Sequence, residues 1–178
     1  MKLTPIMQKY ILHWGEMGAR WGVNRTVAQI HALLYLSPEP LHAEEIAETL
    51  SVARSNVSTS LKELQSWGLI KVSHVMGDRR DHFESLKDLW EMFTIIIEQR
   101  KRREIDPTLS MLRSCVLEGS HDKETPEDVK QRITDVMEFM ETISTWYEQM
   151  RQVPRPALVK LFKLGSKITN LIGKKEKE

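Results

Sequence analysis

Between His42 and Val72 the chain reads "HAEEIAETLSVARSNVSTSLKELQSWGLIKV", and this stretch constrains the fold more than any other. Two amphipathic segments, His42 to Leu50 and Arg54 to Trp67, are separated only by Ser51, Val52 and Ala53. On a helical wheel Ile46 and Leu50 share one face of the first segment, and Val57, Leu61 and Leu64 share one face of the second. So short a link lets the two apolar faces meet only as a helix-turn-helix. Gly68 suits a left-handed C-terminal cap, so the second helix is expected to end at Trp67. "LIKVSHV" follows with Ile70 and Val72 alternating against Lys71 and Ser73, "MGDRR" makes a turn, and "DHFE" returns as the second strand of a hairpin.

Upstream, Ile6, Tyr10, Trp14 and Met17 stand at helical spacing and predict an opening helix that "WGVNR" breaks. "TVAQIHALLYL" predicts a second helix capped by Thr26, with Val27, Ile30 and Leu34 inward, and stopped by Pro38 and Pro40. Three helices followed by a hairpin give the order of a winged helix. Downstream the pattern is helical throughout. Leu86, Leu89, Trp90, Phe93, Ile96 and Ile97 form a stripe that the charged run "EQRKRREID" is expected to end. Pro107 opens a shorter helix with Leu109, Leu112 and Val116, and Thr125-Pro126 is expected to cap a long one. In that long helix Val129, Ile133, Val136, Met140, Ile143, Tyr147 and Met150 alternate spacings of four and three, a pattern that wants a partner helix. A last amphipathic helix would place Leu158, Leu161, Phe162, Ile168 and Leu171 opposite Lys160, Lys163 and Lys167. The expected fold class is therefore mainly α: a winged helix-turn-helix at residues 21–86 with a small β-hairpin wing. An N-terminal helix at 1–20 and a helical region at 87–178 flank it and serve dimerisation.

The outward face of the helix that starts at Arg54 is unusual for a surface helix. Ser55, Ser58, Thr59, Lys62 and Ser66 point away from the Val57-Leu61-Leu64 face, with Arg54 and Asn56 at the N-terminal end. Serine and threonine favour helix ends over interiors, and lysine or glutamate would serve solubility better. Short side chains let a helix sit deep in a groove, hydroxyls reach phosphates and base edges, and Arg or Asn can contact a purine in bidentate fashion. The pattern fits the major groove of double-stranded DNA. Arg79 and Arg80, beside Gly77 at the hairpin tip, are placed for the phosphate backbone or the adjoining minor groove, with Asp78 or Asp81 to brace one of them. Net charge is only +1, yet between Ser51 and Arg80 Arg54, Lys62, Lys71, Arg79 and Arg80 stand against Glu63 and Asp78 alone. The positive charge is gathered on one local surface.

Other functions find little support. No Gly-rich phosphate loop, nucleophile elbow or paired-carboxylate arrangement is present, so neither an enzyme nor a cofactor is expected. His74, His82 and His121 match no metal-ligand spacing, and His74 and His82 read as exposed hairpin residues. Cys115 is the single cysteine and can build no internal disulfide, nor a Cys-based metal site by itself. No apolar run approaches the roughly 18 to 20 residues of a membrane span, and no secretory leader is visible, which implies the cytoplasm. The run "EQRKRRE" fits a solvated face better than a second nucleic-acid patch, and the last helix fits packing better than a membrane surface.

"HAEEIAETLSVARSNVSTSLKELQSWGLI" followed by "GDRRDHFE" resembles the winged-helix reader of the MarR-like repressors, and specifically of their GbsR branch, the glycine-betaine and choline regulator type. The likeness runs from Trp21 to Phe93; beyond Arg100 it is only of amphipathic character. It implies a homodimeric transcriptional regulator, usually a repressor, with Arg54, Ser55, Asn56, Ser58 and Thr59 in the major groove and Arg79 at the wing tip. Ala53 departs from the pattern, standing where many winged helices have a Ser or Thr cap, which leaves a shifted start or a cap from Ser51 or Ser55 open. The branch also suggests a small-molecule effector, a quaternary ammonium osmolyte, in an aromatic cage drawn from Trp14, Trp21, Trp90, Phe93, Trp146 and Tyr147. All of these but Trp21 also fit helix core stripes, and Trp67 fits a structural wedge at the helix end. A winged helix that binds only protein, within a larger assembly, is the alternative.

Overall fold

A computed structural model describes residues 1–160 and Leu164. The chain divides into two compact units, residues 1–100 and residues from Lys101 onward.

The first unit opens with α1 (Pro5–Arg20), whose Thr4 cap accepts a hydrogen bond from the Met7 amide. Its inward residues are Ile11 and Gly15, flanked by half-buried Tyr10 and Trp14, whereas Ile6 is 82% exposed and leaves the expected stripe. α2 (Arg25–Leu36) is the central helix, buried on most of its circumference by Val27, Ala28, Ile30, His31, Ala32, Leu33 and Leu34. Its cap is Asn24, not Thr26: Asn24 Oδ1 accepts from the Thr26 amide at 2.8 Å. Asparagine two residues before the first free amide satisfies that donor, and threonine inside the first turn cannot. α1 can lie close to α2 because Gly18 faces Ala28; a Cβ on Gly18 would stand 2.5 Å from the Ala28 Cβ.

α3 (Ala43–Leu50) and α4 (Arg54–Ser66) form the expected helix-turn-helix. Ser51 turns the chain with φ 54°, and Gly68 ends the second helix with φ 77°. Ile46, Val57, Leu61 and Leu64 join Ile30, Leu33 and Leu34 in one core. Burying each such side chain contributes roughly 1.5–3 kcal/mol. β2 (Ile70–Ser73) and β3 (His82–Ser85) make the hairpin, with Ile70 buried and Val72, two residues on along the same face, exposed. The sequence showed only this hairpin; the sheet has a third strand, β1 (Leu41–His42), in the order β1-β3-β2, with Leu41 opposite Phe83 and His42 opposite His82. His82 is therefore buried, 6% exposed, and not the exposed hairpin residue expected.

α5 (Leu89–Arg100) closes the first unit with Met92 inward and Ile95 and Ile96 packed on the core, while Leu89 and Phe93 stay exposed. In the second unit the charged run does not end helical structure. Lys101–Ile105 is a turn of π-helix that leads into α6 (Asp106–Gly119). Arg, Lys and Glu are good helix formers, and a wider turn accommodates Pro107, which has no amide to donate. Leu109 and Leu112 are buried and Val116 is half-buried on α6. α7 (Glu127–Arg151) packs along α6, with Arg113 Nε 2.8 Å from Glu141 Oε1. Its cap position is Pro126; the Thr125 hydroxyl is used instead on the Asp122 carboxylate, which also accepts from the Glu124 amide at 2.8 Å. The expected α7 stripe splits: Ile133, Met140 and Tyr147 are half-buried, whereas Val129, Val136 and Ile143 are exposed beside Phe139 and Trp146. Residues 155–160 are helical; the rest of the expected last helix lies outside the described residues apart from Leu164. Among the described residues no helix is long and apolar enough to cross a membrane.

Candidate nucleic-acid interface

α4 presents two chemically distinct sides. Val57, Ser60, Leu61 and Leu64 are buried, while Ser55, Asn56, Thr59, Lys62 and Ser66 are exposed and Ser58 is half-buried. The helix starts at Arg54, and Ala53 occupies the cap position without a side-chain hydrogen bond, so no side chain of the cap residue serves its first amides. Among the described residues the side chains of Ser55, Asn56, Ser58 and Lys62 carry no hydrogen bond. Thr59 Oγ1 donates to Ser55 O at 3.2 Å and Ser66 Oγ to Glu63 O at 2.7 Å, which leaves both hydroxyl oxygens able to accept.

Arg54 is held. Its Nε donates to Glu44 Oε1 at 2.9 Å across the helix-turn-helix, and this hydrogen bond is the main reason the Glu44 carboxyl titrates below its ordinary value. The other Glu44 oxygen lies 3.0 Å from His42 Nδ1. At the hairpin tip Gly77 takes φ 85°, and Asp78 clamps Arg80. Asp78 Oδ1 accepts from the Arg80 amide at 3.0 Å and from its Nε at 2.9 Å, and Oδ2 accepts from Nη2. Those bonds hold the Asp78 carboxyl far below the usual carboxylate range. Arg79 is exposed and, among the described residues, carries no ion pair, so of the two wing arginines it is the one with an uncommitted charge.

The helix, the clamped tip and the three-stranded sheet carry a signature that comparison with known proteins makes specific. Residues 21–81 match the model of the MarR family. Its winged helix is MarR-like. The HTH-type transcriptional repressor GbsR of Bacillus subtilis (strain 168) is 21% identical over 136 residues, 75% of each chain. An alignment that long passes Arg100, so the GbsR likeness extends into the second unit. A solved structure described as a transcriptional regulator superposes with a TM-score of 0.60 at 18% identity, over 82% of this chain and 95% of that one, and shares its fold.

In this MarR-like chain the structure brings Arg54, Ser55, Asn56, Ser58, Thr59 and Lys62 onto one exposed flank of α4 and Arg79 and Arg80 onto the tip of the wing. Sequence reasoning missed three residues behind them, His42, Glu44 and His82; of the two braces it offered for a wing arginine, Asp78 and Asp81, the structure has Asp78 on Arg80. The signal for Asp78 was present as an acidic residue two before an arginine in a turn. None existed for His42 and His82, which meet only through the β1-β3 register. The aromatic residues proposed for a cage fall into separate pairings. Tyr10 stacks on Trp14 at 5.6 Å, Trp90 tilts against Phe93 at 6.1 Å, and the Arg100 guanidinium lies 5.6 Å from the Trp21 ring centre while its Nη2 donates to Trp21 O.

Proposed function

We propose that this chain is a DNA-binding transcription regulator that acts as a homodimeric repressor on an inverted-repeat operator. The single observation that carries the reading is the outer flank of α4. Ser55 and Asn56 stand exposed and Ser58 half-buried there, their side chains without hydrogen-bond partners among the described residues, between a basic N-terminal end and a wing that ends in Arg79. A flank so shaped fits the major groove, with the hydroxyls and Asn56 on base edges and phosphates and the wing on the neighbouring backbone or minor groove. The likeness to a repressor, GbsR, supports the direction of control.

Two-fold symmetry follows from dimerisation, which places the two half-site centres about one DNA turn or a multiple of it apart. Val129, Val136, Phe139, Ile143 and Trp146, exposed along α7 at spacings of seven, three and four, support a helical dimer. A quaternary ammonium effector, if it used Trp21, would have to displace the cation already there, Arg100.

Fluorescence anisotropy on the intergenic DNA upstream of the chain's own gene, against scrambled DNA at two salt concentrations, tests the reading. Tighter binding to the intergenic DNA with a steep salt dependence is expected. Weak, equal binding to both, together with a stable complex with another protein, would overturn it in favour of a protein-binding winged helix.

A further inference from the structure

One buried histidine pair is linked through carboxylates to both α4 and the wing. The β1-β3 register sets His42 opposite His82, and their rings meet edge to face with centres 5.4 Å apart and an interplanar angle of 86°. Both residues are more than nine-tenths buried. Each ring leads to one of the arginines described above. His42 Nδ1 lies 3.0 Å from Glu44 Oε2, and the other oxygen of that carboxylate holds Arg54. His82 Nε2 lies 3.6 Å from Asp78 Oδ2, in the carboxylate that clamps Arg80.

The hydrogen-bond roles are constrained. His82 Nδ1 lies 3.0 Å from the Arg80 carbonyl oxygen, which can only accept, so Nδ1 carries the proton of the neutral ring and Nε2 is bare, facing Asp78. His42 Nδ1 faces both the Glu45 amide at 3.4 Å, in the α3 capping box, and the acceptor-only Glu44 Oε2 at 3.0 Å, and a neutral ring can satisfy one of these and not both. A second proton on either ring therefore has a carboxylate waiting: Glu44 for His42, with Glu45 Oε2 3.4 Å from its Nε2, and Asp78 for His82. The charged groups around the pair are thus Glu44 and Glu45 from α3, Arg54 from α4, and Asp78 and Arg80 from the wing, with Arg80 also feeling both α3 glutamates.

We infer that His42 and His82 are a positioning pair that links the Arg54 end of α4 to the Arg80 side of the wing and makes DNA binding proton-linked. The inference rests on the DNA-binding reading above. A proton on either ring draws its carboxylate into a second ion pair and loosens that carboxylate's hold on the arginine. The arginine is then free for a phosphate, and the added positive charge favours the polyanion as well. Two charged rings 5.4 Å apart repel, so the pair takes up one proton more readily than two. By linkage, a complex that favours the protonated pair takes up a proton as it forms and tightens as the pH falls.

The test is isothermal titration of the full chain with the upstream intergenic duplex and with a scrambled duplex, in buffers of different protonation enthalpy between about pH 6 and pH 8. Uptake approaching about one proton is expected, with affinity about three- to tenfold tighter at the acid end. The double variant His42→Asn and His82→Gln, in which asparagine keeps a capping oxygen at α3, should bind without that uptake. His74→Gln, on the exposed part of the hairpin, should retain it. Should the double variant fail to fold, Glu44→Gln removes one waiting acceptor and should reduce the uptake by itself. Binding by the wild type without uptake, or undiminished uptake by the folded double variant or by Glu44→Gln, overturns the inference and leaves the DNA-binding reading intact. Binding to neither duplex at any pH overturns both.

Discussion

His31 Nε2 lies 3.2 Å from Ser85 Oγ, a hydrogen bond that ties the central helix α2 to the last strand of the sheet across 54 residues of chain. Both side chains are buried, and the Ser85 hydroxyl also reaches Leu86 O at 3.1 Å. Burial, with a smaller contribution from the nearby Lys87 charge, lowers the His31 pKa to about 4. The ordinary value applies once the chain unfolds, so the unfolded state binds the proton first. Stability is therefore full above about pH 6.5 and declines as the pH falls toward 4, by about 3 kcal/mol in total. Urea denaturation of the wild type and of His31→Asn at several pH values checks this: the wild type should lose stability over that window, and the variant, with nothing to titrate there, should show a flatter profile.

Lys87 supplies the next expectation. Its Nζ donates to Leu34 O at 2.9 Å and to Tyr35 O and Ser37 O at 2.8 Å each, and lies 5.7 Å from the Tyr35 ring centre. It closes the C-terminal end of α2, where carbonyls are left without amides and a positive charge is favoured. Lys87→Met should destabilise the fold by roughly 1–3 kcal/mol, since those carbonyls keep only what water can reach. The same change removes a positive charge that holds the folded-state His31 value down, so in the variant the acid-side loss of stability should still begin near pH 6.5 but stop at a higher pH and be smaller in total. Both effects are read from one set of pH-dependent urea curves, and an unchanged acid profile would contradict the second.

The contact between α1 and α2 is set by Gly18, and adding a methyl group tests it. The new Cβ would lie 2.5 Å from the Ala28 Cβ, closer than two methyl groups can approach. Gly18→Ala should cost roughly 1–3 kcal/mol through overpacking, despite the better helix propensity of alanine. Adding Ala28→Gly should recover part of the loss by reopening the space. A single variant as stable as the wild type in thermal denaturation would show that the two helices slide apart without cost.

Where the fold depends on local pattern, the sequence was legible. The limits of α4 followed from the Val57-Leu61-Leu64 spacing and from Gly68, and its outer flank followed from the same wheel. What failed was non-local. A two-residue strand such as β1 has no periodicity to detect, so the burial of His82 and its contact with His42 could not be foreseen. Exposed Leu89 and Phe93 and inward Met92 on α5 show the same limit: a stripe with apolar residues on several sides does not say which side the core will take. The split stripe of α7 is a third case, since α6 covers one flank and leaves Val136, Phe139 and Ile143 outside. Caps failed by small margins, because Asn24 and Thr26, or Thr125 and Pro126, are all acceptable near a helix start and only backbone geometry chooses.

The interface itself yields the last expectation, in which helix and wing should respond differently. Ser58 is half-buried on the outer flank of α4, with no hydrogen-bond partner among the described residues, so Ser58→Glu leaves the core untouched and the fold intact by circular dichroism. It would set a carboxylate against DNA in the middle of the proposed groove contact, and specific binding should be lost. Arg79→Ala removes a charge that no neighbour holds among the described residues. If Arg79 meets phosphate, its loss weakens binding to intergenic and scrambled DNA alike and lowers the salt slope by about one. Arg80 is clamped by Asp78, and Arg80→Ala should in addition loosen the turn, because Asp78 loses its side-chain bonds there. Anisotropy titrations at several salt concentrations separate these cases. A loss confined to the intergenic duplex in Arg79→Ala would mean that the wing contacts bases, and unchanged binding in Ser58→Glu would remove α4 from the groove.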